Sequence, residues 1–229
     1  MSHWEQNLKV AGLPDVAAAF HSVKTEDMQR LQHSGLPQFP SITLPYAEFH
    51  KQNLVLMKFI SQNQGVCVRA LPKPEGLQQG FTRGYQYGKI GFEECERFLK
   101  EKIQEPFDLW DVGLTEWEPN ANGFVIISGS KSIRGEIGIN LETLSHGQEI
   151  PLAIFEIDRR MTGHLANKTS WPLVRDPAAA AVLWRAYRCI TFPGGNFQPY
   201  CRRGYFEGIT TQKGAIKFMD FKTNEAYLD

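Results

Sequence analysis

The segment that most constrains the fold is Gly204-Tyr205-Phe206-Glu207-Gly208-Ile209-Thr210, then Thr211-Gln212-Lys213-Gly214, then Ala215-Ile216-Lys217-Phe218-Met219-Asp220-Phe221-Lys222. Two apolar runs of strand composition flank a polar turn containing glycine, which predicts a β-hairpin. Each run carries one carboxylate among hydrophobes. Glu207 and Asp220 are thirteen residues apart, and a hairpin folded about Thr211 to Gly214 brings them near each other on adjacent strands. Two like charges held there need a cation, unless the hairpin is half exposed and water solvates both acids. Carboxylate oxygens that leave room for water and phosphate suit Mg²⁺, and a metal bridging nucleotide phosphates is one reason to build such a pair.

At 229 residues, 42% of them hydrophobic and 22% charged, the chain buries a sizeable core as one large domain or two small ones. Its 25 basic and 25 acidic side chains cancel, which argues against nucleic acid or an anionic membrane as the bulk partner. No apolar run reaches the length of a membrane span, and Met1-Ser2-His3-Trp4-Glu5-Gln6 lacks the features of a signal peptide. A cytoplasmic protein is expected. Cys67, Cys95, Cys189 and Cys201 are scattered without a CxxC pair, the pattern of reduced structural thiols.

Residues 1 to 34 read as helical, with Gly35 and Pro37 ending the second helix. Ser41 to Leu44 reads as a short strand. Tyr46 to Gln62 reads as one amphipathic helix that buries Phe49, Leu54, Leu56, Met57, Phe59 and Ile60. Val66 to Leu71 is a strand carrying Arg69. Pro72 to Lys89, with Gly76, Gly80, Gly84 and Gly88 among Lys73, Arg83 and Lys89, reads as a flexible basic connection. Phe92 to Ile103 is a helix; Leu109 to Trp117, Gly123 to Ser128, Ile133 to Ile139 and Pro151 to Ile157 are extended. Asp176 caps a helix that has Pro177 in its first turn and runs to Arg188. Strands and helices mix without regular βαβ alternation, so the fold class is α+β with largely antiparallel sheets.

In this order the elements resemble the nucleotide-binding core of the ATP-grasp family, over roughly residues 24 to 224. The most specific part is the hairpin, where Glu207 and Asp220 match the family's spacing of two acids that hold Mg²⁺. The resemblance implies two α+β subdomains, 1–112 with the basic strand and glycine-rich loop and 113–229 with the carboxylate hairpin, clasping ATP. It implies an Mg-ATP-dependent ligase forming carbon–nitrogen bonds, or a phosphotransferase, that activates a carboxylate as an acylphosphate. A non-catalytic nucleotide-binding or protein-interaction module of the same fold is the alternative.

Carried over residue by residue, the resemblance gives Arg69 the phosphate-contacting role of a strand-borne lysine. It gives the stretch with Gly76 and Gly80 the role of a loop over the triphosphate. Glu116, Trp117 and Glu118 fall at the family's hinge, where backbone meets adenine and a carboxylate takes the ribose hydroxyls. Lys24 stands where a second phosphate-contacting lysine would be, and Arg203 near the acceptor. The family usually places an asparagine two positions after the second acid. This chain has Lys222 there, a candidate catalytic lysine that either neutralises the two acids without metal or reaches a phosphate while Asn224 takes over as the amide beside Glu207 and Asp220 on a metal. The acceptor, a small molecule or a protein, is not indicated. Arg134, Glu136, His146, Arg188 and Arg202 are further polar groups near apolar strands, and His146 could act as a general base.

Overall fold

A computed structural model describes residues 11, 13, 30–49, 51, 53–63, 65–158, 168–192 and 200–223. Among them the chain forms two units. Of the described residues, the first holds Phe39–Pro119, and the second holds Ala11, Leu13, Arg30–Gln38 and those from Asn120 onward. Position 112 lies in the interior of a strand of the first unit. Among the described residues no helix is long and apolar enough to cross a membrane.

The first unit comprises β1 (Ser41–Pro45), α1 (Tyr46–Phe49), α2 (Asn53–Gln62), β2 (Val66–Pro72), α3 (Pro74–Gln78), β3 (Gly84–Gly88), α4 (Phe92–Lys102) and β4 (Trp110–Glu116). Its strands form one sheet in the order β1-β4-β2-β3, antiparallel at every pair. Strand alternation divides the sheet's faces. Val66, Val68 and Ala70 of β2 and Val112 and Leu114 of β4 join Phe49, Leu56, Cys95, Phe98 and Leu99 in one core. In α4 the buried Cys95, Phe98 and Leu99 recur at i, i+3 and i+4, the spacing of one helical face. The Glu94 carboxylate accepts a 2.6 Å hydrogen bond from the Gly91 amide at the start of that helix.

Two expectations fail here. Tyr46 to Gln62 is not one helix: α1 ends at Phe49 and α2 begins at Asn53. Leu56 is fully buried, with Phe59 and Ile60 packed against the same core, whereas Leu54 and Met57 are 84% and 50% exposed. Leu56, Phe59 and Ile60 share a face at i, i+3 and i+4, and at 100° per residue Leu54 and Met57 point away from it. The stretch from Pro72 to Lys89 is not a flexible connection throughout. It contains α3 and the edge strand β3, which pairs with β2 from Val66↔Gly88 to Ala70↔Gly84.

The second unit contains β5 (Asn120–Ser128), β6 (Ser132–Gly138), α5 (Leu141–Ser145), β7 (Ala153–Asp158), β8 (Lys168–Val174), α6 (Pro177–Cys189), β9 (Thr191–Phe192), β10 (Tyr200–Cys201), β11 (Gly204–Thr211) and β12 (Ile216–Lys222). Six strands form an antiparallel sheet in the order β12-β11-β5-β6-β7-β8, and β9 pairs with β10. The α+β class with largely antiparallel sheets is therefore what the chain adopts. Asp176 caps α6 as its sequence predicts, its Oδ1 accepting from Ala178 N at 2.8 Å and Ala179 N at 3.2 Å. Ala179, Ala180, Leu183, Ala186 and Tyr187 of α6 pack with Phe124, Ile126, Phe155, Phe206, Phe218 and Phe221 from the sheet. All four cysteines are free thiols.

Candidate functional site

The closing hairpin forms where its sequence predicts. Gly214 adopts a φ of +81°, a left-handed conformation that glycine takes without steric penalty, and its amide donates to Thr211 O at 2.9 Å. Register is set by packing. Phe206 faces Phe221 and Gly208 faces Phe218 across the strands, with a bulge between Glu207 and Gly208. The extra residue lets Phe218 and Phe221, three apart, both turn into the α6 core, and it turns Asp220 to the other face opposite Glu207.

That other face carries two polar rows. Asp220 faces Glu207, Glu207 faces Val125, and Val125 faces Glu136. In the neighbouring row Lys222 faces Tyr205, Tyr205 faces Ile127, Ile127 faces Arg134, and Arg134 faces Glu156. Val125, Ile127 and Tyr205 pack with Ala11, Leu13 and Leu144, so an apolar patch underlies the charges. Arg134 ties Glu136 at 2.7 Å and also pairs with Glu156. Tyr205 is fully buried and its hydroxyl donates to Glu207 Oε1. Burial, followed by the negative charge of Glu207 and its hydrogen bond, and then Asp220 and Glu136, holds that phenol's pKa well above the usual tyrosine value. Asp220 and Lys222 are only 5% and 6% exposed, so the reading of two solvated acids on a half-exposed hairpin does not hold for Asp220.

As a donor set, two carboxylates held face to face supply hard oxygen ligands of the kind one Mg²⁺ takes together with water and phosphate. Among the described residues no group of three or more His, Cys, Asp or Glu is arranged to hold a metal ion. Of the described residues, Glu207 and Asp220, opposite each other in register, would hold such an ion only together with a ligand. Asn224 and Lys24 lie outside the described residues. Arg203 precedes β11, and its carbonyl accepts from Thr223 Oγ1 at 2.9 Å. Its neighbour Arg202 is half-buried, and burial lowers its pKa.

In the first unit, β2 and β4 present their non-core face through Arg69 and Thr115, and Arg69 Nη1 donates to Thr115 Oγ1 at 2.8 Å. Among the described residues Arg69 forms no ion pair, and its hydrogen-bond partner is a neutral hydroxyl. Arg69 stands in register between Gly113 and Tyr85, and Gly113 pairs with Thr43. The Thr43 hydroxyl is buried and has no hydrogen-bond partner among the described residues. On edge strand β3, Tyr85 and Tyr87 stack at 6.1 Å, and Tyr87 stacks on Trp117 at 5.5 Å.

Glu116 and Trp117 are fixed through their backbones, Glu116 N donating to Pro40 O and Trp117 N to Gly65 O, each at 2.9 Å. Glu116 and Glu118 are half-buried. The two glycines separate. A Cβ on Gly76 would lie 2.9 Å from Phe81 Cδ2, so that glycine is buried for packing inside α3 and offers no open cradle. Gly80 has a φ of +86° with open space around it. His146 is exposed and its ring contacts Glu142 O at 2.7 Å, the end of a short helix and not a base beside the acids.

The structure thus brings Glu207, Asp220 and Lys222 together in one unit, and Arg69, Glu116, Trp117 and Glu118 belong to the other. Sequence reasoning missed Tyr205 as part of the site, although its two-residue spacing from Glu207 was the available signal. Arg134 and Glu136 stood out as polar residues on an apolar strand, and their row position now joins them to the acids.

The sequence matches no family model and no curated protein. Its fold is similar to solved ATP-grasp ligases. One is the ATP-grasp ligase PsnB complexed with minimal precursor, Mg and ADP (14% identity, 92% of this chain and 52% of that one, TM-score 0.38). Others are the D-alanine-D-alanine ligase of Coxiella burnetii (11%, 97% and 55%, 0.44) and a RimK domain ATP-grasp protein of Sphaerobacter thermophilus (11%, 94% and 67%, 0.42). The chain spans little more than half the length of the first two.

Proposed function

We propose that the chain binds MgATP and serves as an ATP-grasp-like ligase or phosphotransferase. The observation that carries this reading is the in-register pair Glu207 and Asp220, turned by a bulge onto one face with Arg134, Glu136, Tyr205 and Lys222. Supporting it on the first unit, among the described residues, are an Arg69 guanidinium without an acid partner and a buried Thr43 hydroxyl without a hydrogen bond. A buried polar group left unsatisfied costs roughly 1–3 kcal/mol, which a polar ligand on that face would relieve.

On this reading Arg69 and Lys24 hold phosphate oxygens and the Gly80 turn approaches them. Glu116 or Glu118 accepts the ribose hydroxyls beside Trp117. Glu207 and Asp220, with Asn224, take the cation. When bound, Mg²⁺ neutralises phosphate charge as it shifts in the transfer. Arg203 orients an acceptor carboxylate whose oxygen attacks the γ-phosphorus, with ADP leaving. An amine then attacks the acyl carbon of the acylphosphate and inorganic phosphate leaves. The acceptor is a small molecule or a protein, with neither a membrane nor nucleic acid as partner. Four free thiols fit a cytoplasmic setting.

Calorimetric titration of ATP with and without Mg²⁺ tests this. Wild type should bind in an Mg²⁺-dependent way, and Asp220→Asn should weaken binding by about tenfold or more, the scale of losing one charged contact. No Mg²⁺-dependent binding by wild type would defeat the reading. A second reading, nucleotide binding without chemistry, is favoured by the buried Lys222 among the acids. Binding without turnover across a broad set of carboxylate and amine acceptors would support it.

A further inference from the structure

On the α6 side of the six-stranded sheet, away from the acids, Thr169 and Trp171 of β8 and Ala180, Ala181 and Trp184 of α6 line an open cleft of about 410 Å³. A bulge between Ile154 and Glu156 lets Trp171 reach over Phe155 at 5.7 Å, and its indole meets that of Trp184 at 6.0 Å. Trp184 also packs on Phe155 at 5.6 Å and on Tyr187 at 5.0 Å, so both indoles are held from beneath. The alanines leave the space that longer side chains would fill. Water in a cleft walled this way finds few hydrogen-bond partners, and its release favours an apolar group. Two further features adjoin. Strand β8 is the edge of its sheet, so alternate N–H and C=O groups of Lys168 to Trp171 have no strand partner among the described residues, and Pro172, without an N–H, ends that stretch. On α6, Ala181, Trp184, Arg185 and Arg188 recur at i, i+3, i+4 and i+7, one helical face. Arg185 and Arg188 are exposed, and among the described residues neither forms an ion pair. The cleft thus has an open strand edge on one side and a basic rim on the other.

We propose that this corner of the second unit docks an extended acidic peptide segment of a partner protein. The segment's backbone pairs with Lys168 to Trp171 as an added strand. One aliphatic or aromatic side chain enters the cleft against Trp171 and Trp184, and carboxylates on the same face of the segment meet Arg185 and Arg188. The spacings agree: a strand repeats a face every two residues, about 7 Å, and the step from Ala181 to Arg185 along the helix is about 6 Å. A small apolar molecule would leave the strand edge and both guanidinium charges unused, whereas strand addition with pockets for alternate side chains uses all three features. The site lies on the sheet face away from Glu207 and Asp220, so it stands whether or not the chain binds ATP.

The test is fluorescence anisotropy of the full chain with a fluorescein-labelled peptide, Thr-Leu-Thr-Glu-Thr-Glu. Three controls accompany it: serine in place of leucine, lysine in place of both glutamates, and N-methylation of every backbone amide. The parent peptide should bind with a Kd below about 1 mM, and each control should bind about tenfold more weakly or worse. Ala181→Gln fills the cleft with a polar side chain at an exposed helix position and should weaken the parent peptide by about tenfold. The double variant Arg185→Glu with Arg188→Glu should lose the parent peptide and gain the lysine one. Absence of binding by the parent peptide would overturn the proposal, as would equal binding of the leucine and serine peptides or indifference to Ala181→Gln. A dimer seen by sedimentation and dissolved by Ala181→Gln would overturn it in favour of a second copy of this chain. The peptide controls on wild type decide the matter even where a variant melts early, and ATP titrations run in parallel report on the nucleotide reading separately.

Discussion

Tyr205 has an unusual position for a tyrosine. Its ring belongs to an apolar patch with Val125 and Ile127, while its hydroxyl ends on the Glu207 carboxylate. A hydrogen bond to a charged group contributes more than one between neutral groups. Tyr205→Phe keeps the ring and removes the donor, so the expected loss is roughly 1.5–3 kcal/mol of unfolding free energy, measured in urea. The same contact has a pH signature. Burial and the neighbouring acids raise the folded phenol's pKa above the usual value of 10.0, so folding favours the protonated form. Its contribution is complete below about pH 10, the unfolded value, and is lost as pH rises toward the folded one. Chemical denaturation at stepped pH should show wild type losing more stability than Tyr205→Phe above about pH 10. Equal slopes would mean that the phenol does not stay protonated in the native chain.

The hairpin of β11 and β12 was legible in the sequence because two independent signals agree there: an apolar run of strand composition on each side, and a polar turn ending in Gly214 where a positive φ is needed. Helix α6 was legible for a similar reason, with Asp176 and Pro177 marking its start. Strand β8 and edge strand β3 were not. In β3, Gly-Tyr-Gln-Tyr-Gly carries glycine at both ends and exposed tyrosines between them, so its strand character comes from pairing with β2 and not from an apolar pattern. The bulge that turns Asp220 toward Glu207 is also invisible in the sequence, because it depends on how Phe218 and Phe221 reach the core. At that bulge Gly208 has little freedom: a Cβ would lie 2.2 Å from Phe124 Cζ and 2.6 Å from Lys217 O. Gly208→Ala must push an aromatic ring or a strand aside, and overpacking of this kind costs about 1–3 kcal/mol. Thermal melting should show a drop of several degrees. An unchanged melting temperature would mean that Phe124 moves freely, contrary to its packing among Phe218 and the α6 core.

At the scale of the whole chain, the buried residues described in each unit form a core of their own. Phe49, Leu56, Phe98, Leu99 and Trp110 belong to the first, and Phe124, Phe155, Leu183, Phe206 and Phe218 to the second. The carboxylate site is built on the second and the Arg69 face on the first. This explains why spacing found Glu207 and Asp220, thirteen residues apart on one hairpin, yet could not tell that Gly76 is consumed by packing under Phe81. Local pattern reports which residues share a strand face, and tertiary packing decides which glycines remain open. Separate cores make a prediction about stability. Phe98 is 6% exposed in the first core, and truncating a buried phenylalanine costs about 3–5 kcal/mol through lost transfer energy and a cavity. In Phe98→Ala, native-state hydrogen exchange should speed up in β2, β4 and α4, where the lost ring packed, while β5 and β11 keep their protection. Acceleration of the same size in β5 and β11 would show that the two cores open as one cooperative body.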